Sequence, residues 1–354
     1  MHCGLARDRA QRSMETLPEL LQNGVELTGT QCEQAVAWLA DPQASTASKE
    51  IFLEALRERG ETASEIAGFA SALLRRARDP GVEVAKLPGP ALDVCGTGGD
   101  KLDLFNISTT AMFVLAAGGA VVVKHGNRAI TSQCGGADVL EELGIQIEAE
   151  PAKLRACLES AGVGFVFAPA YHPAFQVIGP VRRALASRGV PTVFNLLGPL
   201  LNPVQPPFQL VGVYASEMLR KYAEALRFLG RERAWVVNGG GADELTCAGT
   251  SQVYTMENGC ISESKVSPET LGLELSPLSR LRGGNRKENA RMLLDVLSGE
   301  DDGARADAVL LNAAAGFVVA GVDPDLGAAL ERGRRSIRDG SALRKVRQMA
   351  ELLH

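Results

Sequence analysis

An apolar run, Ala120 to Val123, passes directly into Lys124-His-Gly-Asn-Arg-Ala-Ile-Thr-Ser132. Beyond Gly136, the residues Ala137, Val139, Leu140 and Leu143 fall at helical spacing, and Gly144 stands as a C-terminal stop. A short continuous apolar run of this kind reads as a parallel strand buried on both faces. The stretch is therefore strand, polar loop, helix. In an α/β domain ligands bind beyond the carboxyl ends of the strands. The loop offers two cations (Lys124, Arg128), two hydroxyls (Thr131, Ser132) and an amide (Asn127), which suits an anionic, oxygen-rich ligand.

The same alternation extends from Ala91 onward, with strands expected at 91–95, 145–147, 163–167, 209–213 and 234–238, and helices between them. Pro151 opens one of these helices. A hairpin is expected from 252–256 and 260–262, and helices at about 285–298, 304–320, 324–337 and 341–353. Before Ala91 the pattern is helical. Thr30 with Glu33, and Thr62 with Glu65, form T-x-x-E capping boxes. The segment 172–202 interrupts the alternation and is expected to pack back on the N-terminal helices. The expected organisation is a flexible tail (1–14), a small helical domain (15–85 with about 172–202) and a larger α/β domain with a mostly parallel central sheet (88–171 and 203–354).

Composition removes several classes of function. A formal net charge of -5 gives no basic field for nucleic acid. No apolar window is long enough for a membrane span, and the N-terminus lacks the apolar core of a secretory signal. The 7 cysteines are scattered without a C-x-x-C pair, which fits reduced thiols in a cytoplasmic protein. The 4 histidines have no metal-binding spacing.

The motifs that carry chemistry lie at strand ends. Gly96-Thr-Gly-Gly-Asp100 follows a strand but is neither a P-loop nor a dinucleotide G-x-G-x-x-G, since Lys101 holds the last position. Close-set glycines let backbone N–H groups approach a pyrophosphate; taken alone, the motif is equally a tight turn. Asn106-Ile-Ser-Thr109 opens a helix, where unpaired N–H groups and the dipole favour an anion; plain capping by Ser108 is the structural alternative. Asp243-Glu244 follows a strand and a glycine run, a modest signal for Mg²⁺, or else a solvated acidic loop. Together these point to a phosphorylated sugar or diphosphate with Mg²⁺.

The ordered set Gly96–Asp100, Phe105–Thr109, Lys124–Arg128, Ala137–Glu141, Asn195–Pro203 and Asp243–Glu244 resembles the anthranilate phosphoribosyltransferase family from about Leu17 to the C-terminus. The resemblance implies a helical domain, an α/β domain and a homodimer formed through the helical domain. It also implies Mg²⁺-dependent transfer of phosphoribose from phosphoribosyl pyrophosphate to the amine of anthranilate, the second step of tryptophan biosynthesis. Carried over by position, the donor would meet Gly96, Thr97, Gly99, Asp100, Asn106, Ile107, Ser108 and Thr109. It would also meet Lys124, His125, Gly126, Asn127, Arg128, Ala129, Ile130, Thr131, Ser132 and Gly136. Anthranilate would meet Gly96, Asn127 and Arg182, and Mg²⁺ would meet Ser108, Asp243 and Glu244. No residue is implied as acid or base.

Three departures from the family pattern stand out. Leu104 replaces a usual hydroxyl, Gly136 stands where Ser or Thr is common, and Ala-Ser-Arg at 186–188 is extra. Two other readings compete. A pyrimidine nucleoside phosphorylase would need a nucleobase-binding Lys/Ser/Arg set that is not found. A non-catalytic nucleic-acid-binding relative would show basic excess and eroded glycine or metal motifs, against the net charge of -5 and the intact Asp243-Glu244.

Overall fold

The computed structural model describes residues 17–129 and 133–354. The tail expected at 1–14 and the proposed ligand residues Ile130, Thr131 and Ser132 lie outside the described residues. The chain divides into two compact units, one running to Arg78 and including Pro169–Leu201, the other comprising Asp79–Ala168 and Asn202–His354.

The helical unit begins with Leu17–Gln22, Gly29–Leu39, Thr46–Arg59 and Ala63–Leu74. The second capping box forms as expected: Thr62 caps Ala63–Leu74 and Glu65 returns the bond. The first box does not. Thr28 with Gln31 caps Gly29–Leu39, so the helix starts earlier and Thr30 falls in its first turn. Two overlapping boxes are written into this stretch, and the earlier one leaves Glu33 free to reach Arg75 at 2.9 Å. Phe52, Phe69 and Trp38 meet at the centre of the unit. In Pro169–Leu201, Arg188 of the extra segment pairs with Glu50 and Glu54 at 3.0 and 2.9 Å.

The α/β unit is built on a 7-stranded sheet in the order β3-β2-β1-β4-β5-β6-β7. The strands are β1 (Ala91–Gly96), β2 (Val121–Gly126), β3 (Val163–Phe167), β4 (Phe208–Gly212), β5 (Arg233–Asn238), β6 (Ser251–Glu257) and β7 (Cys260–Val266). Strands β1 to β5 run parallel; β6 and β7 are antiparallel. The sheet grows outward from β1 to β3, then resumes on the other side of β1 with β4. That reversal is a topological switch point, where α/β sheets bind ligands. The helix Ile107–Ala117, buried from Ile107 to Ala116 but for Ser108, packs beneath the sheet against Ala304–Val319.

Two sequence expectations are corrected here. Strand β2 does not stop at Val123 but continues through Lys124, His125 and Gly126. Lys124 and His125 are therefore strand residues, paired with Phe165 and Val166 of β3, and not loop residues. The apolar run at 145–147 is no strand. Gly144 adopts φ +78 and Ile145 N–H donates to Leu140 C=O at 2.9 Å, a helix-ending motif in which the apolar residue after the glycine packs inward. The hairpin of β6 and β7 forms around Asn258 and Gly259, both at positive φ, the pair that suits a two-residue turn.

Candidate active site

The switch point sets the carboxyl ends of β1 and β4 side by side, with Gly96 opposite Gly212. Asp243 fills the space that these two glycines leave. A Cβ on Gly96 would sit 2.1 Å from Asp243 Oδ2, and one on Gly212 would sit 1.5 Å from its carbonyl oxygen. No other residue fits at either position while Asp243 stays where it is. Gly98 N–H donates to Asp243 Oδ2 at 2.6 Å, which ties the glycine loop to the acidic pair. Gly212 was missed by sequence reasoning because it lies at the end of an ordinary-looking strand.

Glu244 turns toward the helix Ile107–Ala117 and accepts the Ser108 N–H at 3.1 Å. Lys124, 4% exposed, reaches from β2 to donate to Ser108 Oγ at 3.1 Å. It also donates to Val94 C=O. One cation thus faces a concentration of carboxylates. Burial and then the charge of Asp100 push Asp243 up to about 6. Burial and then Asp243 push Glu244 up to about 8, with Lys124 and Ser108 pulling the other way. Both carboxyls stand above their usual range chiefly because they are buried, and next because each faces a like charge.

Of the two readings of 106–109, plain capping by Ser108 does not form. Asn106 holds the N-cap position without a side-chain cap bond. Its amide is oriented instead by long-range partners, donating to Cys134 C=O at 3.2 Å and accepting from Asn289 at 2.8 Å. Of the first N–H groups of the helix, that of Ile107 donates to Phe105 C=O at 2.8 Å and that of Ser108 to Glu244, and the positive end of the helix dipole still points into the site. Thr109 is buried below them. Asp100 accepts from Leu102 N–H at 3.2 Å, and Thr97 N–H continues the β4 ladder to Gly212 C=O at 3.0 Å.

The 127–136 region is less uniform than the sequence implies. Asn127 is exposed, its Oδ1 accepting from Arg128 N–H at 2.8 Å. Arg128 is not a spare cation. It pairs with Glu141 at 2.7 Å and Glu148 at 3.2 Å and lies 4.6 Å over the Phe167 ring. Asp138 Oδ2 accepts from both Ala129 and Gly135 N–H at 2.8 Å. Gly136 has little room for the usual side chain, since a Cβ there would meet Thr109 Oγ1 at 2.8 Å. Leu104, in place of a hydroxyl, forms a bridge with Arg282.

Arg182 belongs to the helical unit. Its guanidinium lies 5.6 Å over both the Phe175 and Phe194 rings, and burial holds its pKa below the ordinary arginine value. A cation set between aromatic faces and lacking an acidic partner among the described residues is suited to a planar carboxylate.

The profile described as "Glycosyl transferase family, a/b domain" matches residues 88–343, and "Glycosyl transferase family, helical bundle domain" matches 17–77. Anthranilate phosphoribosyltransferase of Chloroflexus aggregans is 44% identical over 92% of this chain and 94% of its own. That of Anaeromyxobacter dehalogenans is 43% identical over 93% and 95%. The chain belongs to the anthranilate phosphoribosyltransferase family.

Solved members of the family share the whole fold. The Thermus thermophilus enzyme superposes with a TM-score of 0.88 at 40% identity, over 95% of this chain and 99% of that one. The Saccharomyces cerevisiae anthranilate phosphoribosyltransferase, 28% identical, superposes at 0.86 over 97% and 98%; it was solved in complex with PRPP and Mg. These family relationships favour the transferase over the phosphorylase and nucleic-acid-binding readings.

The residues present fit a divalent cation. Asp243, Glu244 and Asp100 crowd negative charge that Lys124 alone does not balance. Among the described residues no group of three or more His, Cys, Asp or Glu side chains is arranged to hold an ion unaided. Mg²⁺ takes one or two protein carboxylates and completes its shell with water and phosphate.

Proposed function

We propose that this chain transfers the phosphoribosyl group of phosphoribosyl pyrophosphate to the amine of anthranilate, with Mg²⁺, releasing pyrophosphate. The observation that carries the reading is the wedge of Asp243 between Gly96 and Gly212, with Glu244, Ser108 and Lys124 converging beside it at the switch point. The relatives named for this reaction support it.

In the reaction the anthranilate nitrogen forms a bond to C1 of the ribose as the bond from C1 to the pyrophosphate oxygen breaks. Positive charge builds at C1 and negative charge on the leaving group, so stabilising that charge and aligning the amine matter more than a strong base. Lys124 and the N-terminus of Ile107–Ala117 face the diphosphate, and Gly96 to Asp100 line the ribose side. Asp243 and Glu244, with Ser108, would hold Mg²⁺. Magnesium, when bound, neutralises phosphate oxygens and the charge that grows on them. Asn127 and Arg182 orient anthranilate, Arg182 through its carboxylate. Arg128 contributes through the shape of its loop, since its guanidinium is committed to Glu141 and Glu148.

We further place the enzyme in the cytoplasm, a setting supported by the free thiols of Cys32, Cys95, Cys134, Cys157, Cys247 and Cys260. We take it to be a homodimer joined through the helical unit, which exposes Ile51 and Val25. A sedimentation mass of one chain would remove the dimer. The central test is pyrophosphate release from phosphoribosyl pyrophosphate with Mg²⁺, followed together with the loss of anthranilate fluorescence. The two signals should rise and fall together and need both substrates. Release without anthranilate, or none at all, would overturn the reading.

A further inference from the structure

The Asn195–Pro203 motif has no place in the reaction described above, yet its Asn202 is fully buried in the α/β unit, 0% exposed, beside Asp93 at 0%. The register of the sheet shows what the two residues do. Strand β1 pairs with β4 from Leu92 to Gly96, but with β2 only at Ala91↔Val121 and Leu92↔Val122. Past Leu92 no ladder pairs β1 with β2, while β2 stays paired with β3 to Gly126. A buried main-chain group left without a partner is costly. Side chains take the place of the missing ladder. Asp93 Oδ1 accepts from His125 N–H at 3.2 Å, Asn202 Nδ2 donates to Val123 C=O at 2.8 Å, and Lys124 Nζ donates to Val94 C=O. Asn202 Nδ2 also donates to Asp93 Oδ2 at 3.0 Å, which joins the first two bonds. Its Oδ1 is taken by Val204 N–H at 3.1 Å, so the orientation of the amide is determined.

We infer that Asn202 is a positioning residue of the diphosphate site: with Asp93 it ties β2 to β1 beyond Leu92, where no ladder pairs them, and thereby fixes Lys124 against Ser108. The inference rests on the donor site proposed above. Asn202 bonds the main chain of Val123 and Asp93 that of His125, the two residues flanking Lys124. Were these bonds lost, the main chain on either side of Lys124 would no longer be tied to β1. The ammonium would then no longer be held beside the Ser108 hydroxyl.

The test is calorimetric binding of magnesium pyrophosphate to the full chain, in the wild type, Asn202→Ala, Lys124→Ala and the double variant. Asn202→Ala should weaken binding about tenfold, the size of one hydrogen bond to a charged group. Added to Lys124→Ala it should weaken binding no further, because Asn202 acts through Lys124. The Michaelis constant for anthranilate should change by less than about twofold, since no acceptor contact is lost. Asn202→Asp is the second variant; it keeps the Val204 bond, loses both donors and should weaken binding at least as much. Additive losses, an equal loss for anthranilate, or unfolding of both variants at about 25 °C would overturn the inference in favour of a purely structural role. In the wild type the His125 amide should exchange with solvent only on unfolding of β2, and rapid exchange would also overturn it. A wild type that binds no magnesium pyrophosphate would bring down the donor site itself, and the inference with it.

Discussion

Each unit of the molecule recesses acidic side chains, and Glu65 of the helical unit is treated in the opposite way to Asp243 and Glu244 of the α/β unit. In the helical unit Glu65 is 0% exposed and fully partnered. It accepts from Leu27 N–H and Thr62 N–H at 2.8 and 2.9 Å and pairs with Arg59. In the α/β unit burial first, and then the charge of Asp100 on Asp243 and of Asp243 on Glu244, raises both carboxyls, with Lys124 as the charge opposing Glu244. The first arrangement is complete without a ligand. The second, on the function proposed above, takes its complement from Mg²⁺. A buried carboxylate therefore signals function by what it lacks, and burial alone does not separate the two cases.

The contrast is broken most severely by Asp243→Asn with Glu244→Gln. Turnover should fall by about a thousandfold or more, the scale of lost charge stabilisation in a transition state, while thermal unfolding shows equal or higher stability. A loss of fold would mean that these acids are structural, as Glu65 is. Glu65→Ala should do the reverse. Removing one partner of a buried pair costs about 3 kcal/mol, read by denaturant titration, with kcat of the folded fraction unchanged; a specific loss of kcat would erase the distinction. Arg182→Ala sharpens it from the other side, as the cation of the helical unit without an acidic partner among the described residues. The Michaelis constant for anthranilate should rise about tenfold or more, the worth of a charged hydrogen bond, and that for the donor much less.

A smaller effect follows from pH. Asp243 and Glu244 have folded pKa values of about 6 and about 8, above the ordinary values of 3.8 and 4.5. The folded chain then binds more protons than the unfolded chain across this range. Stability without divalent ions should fall as pH rises from about 4 to about 8. The slope should be absent in the doubly amidated variant, and a wild-type slope of the opposite sign would count against the raised values. The smallest effect is expected at Gly136. The usual serine would press on Thr109 Oγ1, with a Cβ 2.8 Å away. Gly136→Ser should cost about 1 kcal/mol through overpacking and loosen donor binding slightly. Tighter donor binding would show that Thr109 moves aside.

Much of the site was legible because its motifs are local. Gly96–Asp100, Asn106–Thr109 and Asp243–Glu244 each declare strand ends or helix starts through neighbouring residues. The Thr62–Glu65 capping box is likewise complete within one short stretch of chain. Long-range partners produced the errors. Arg128 looks like a spare cation until Glu148 and Phe167 are placed beside it. Lys124 looks like a loop residue until Phe165 of β3 extends the strand past it. The choice of Thr28 over Thr30 as cap went to the earlier of two overlapping signals.

The sequence by itself determined the helical and α/β parts, the nearly parallel sheet and the chemical character of the ligand. Periodicity, capping residues and glycine loops act over a few residues, so their consequences can be read along the chain. Only the tertiary structure decided which acids are paired with a cation and which lie beside like charges. It alone showed why Gly212 must be glycine, and that Asn202 and Asp93, 109 residues apart, bond each other and the main chain of β2. Those outcomes depend on which side chains the sheet order brings within hydrogen-bonding distance, and no local pattern encodes that distance.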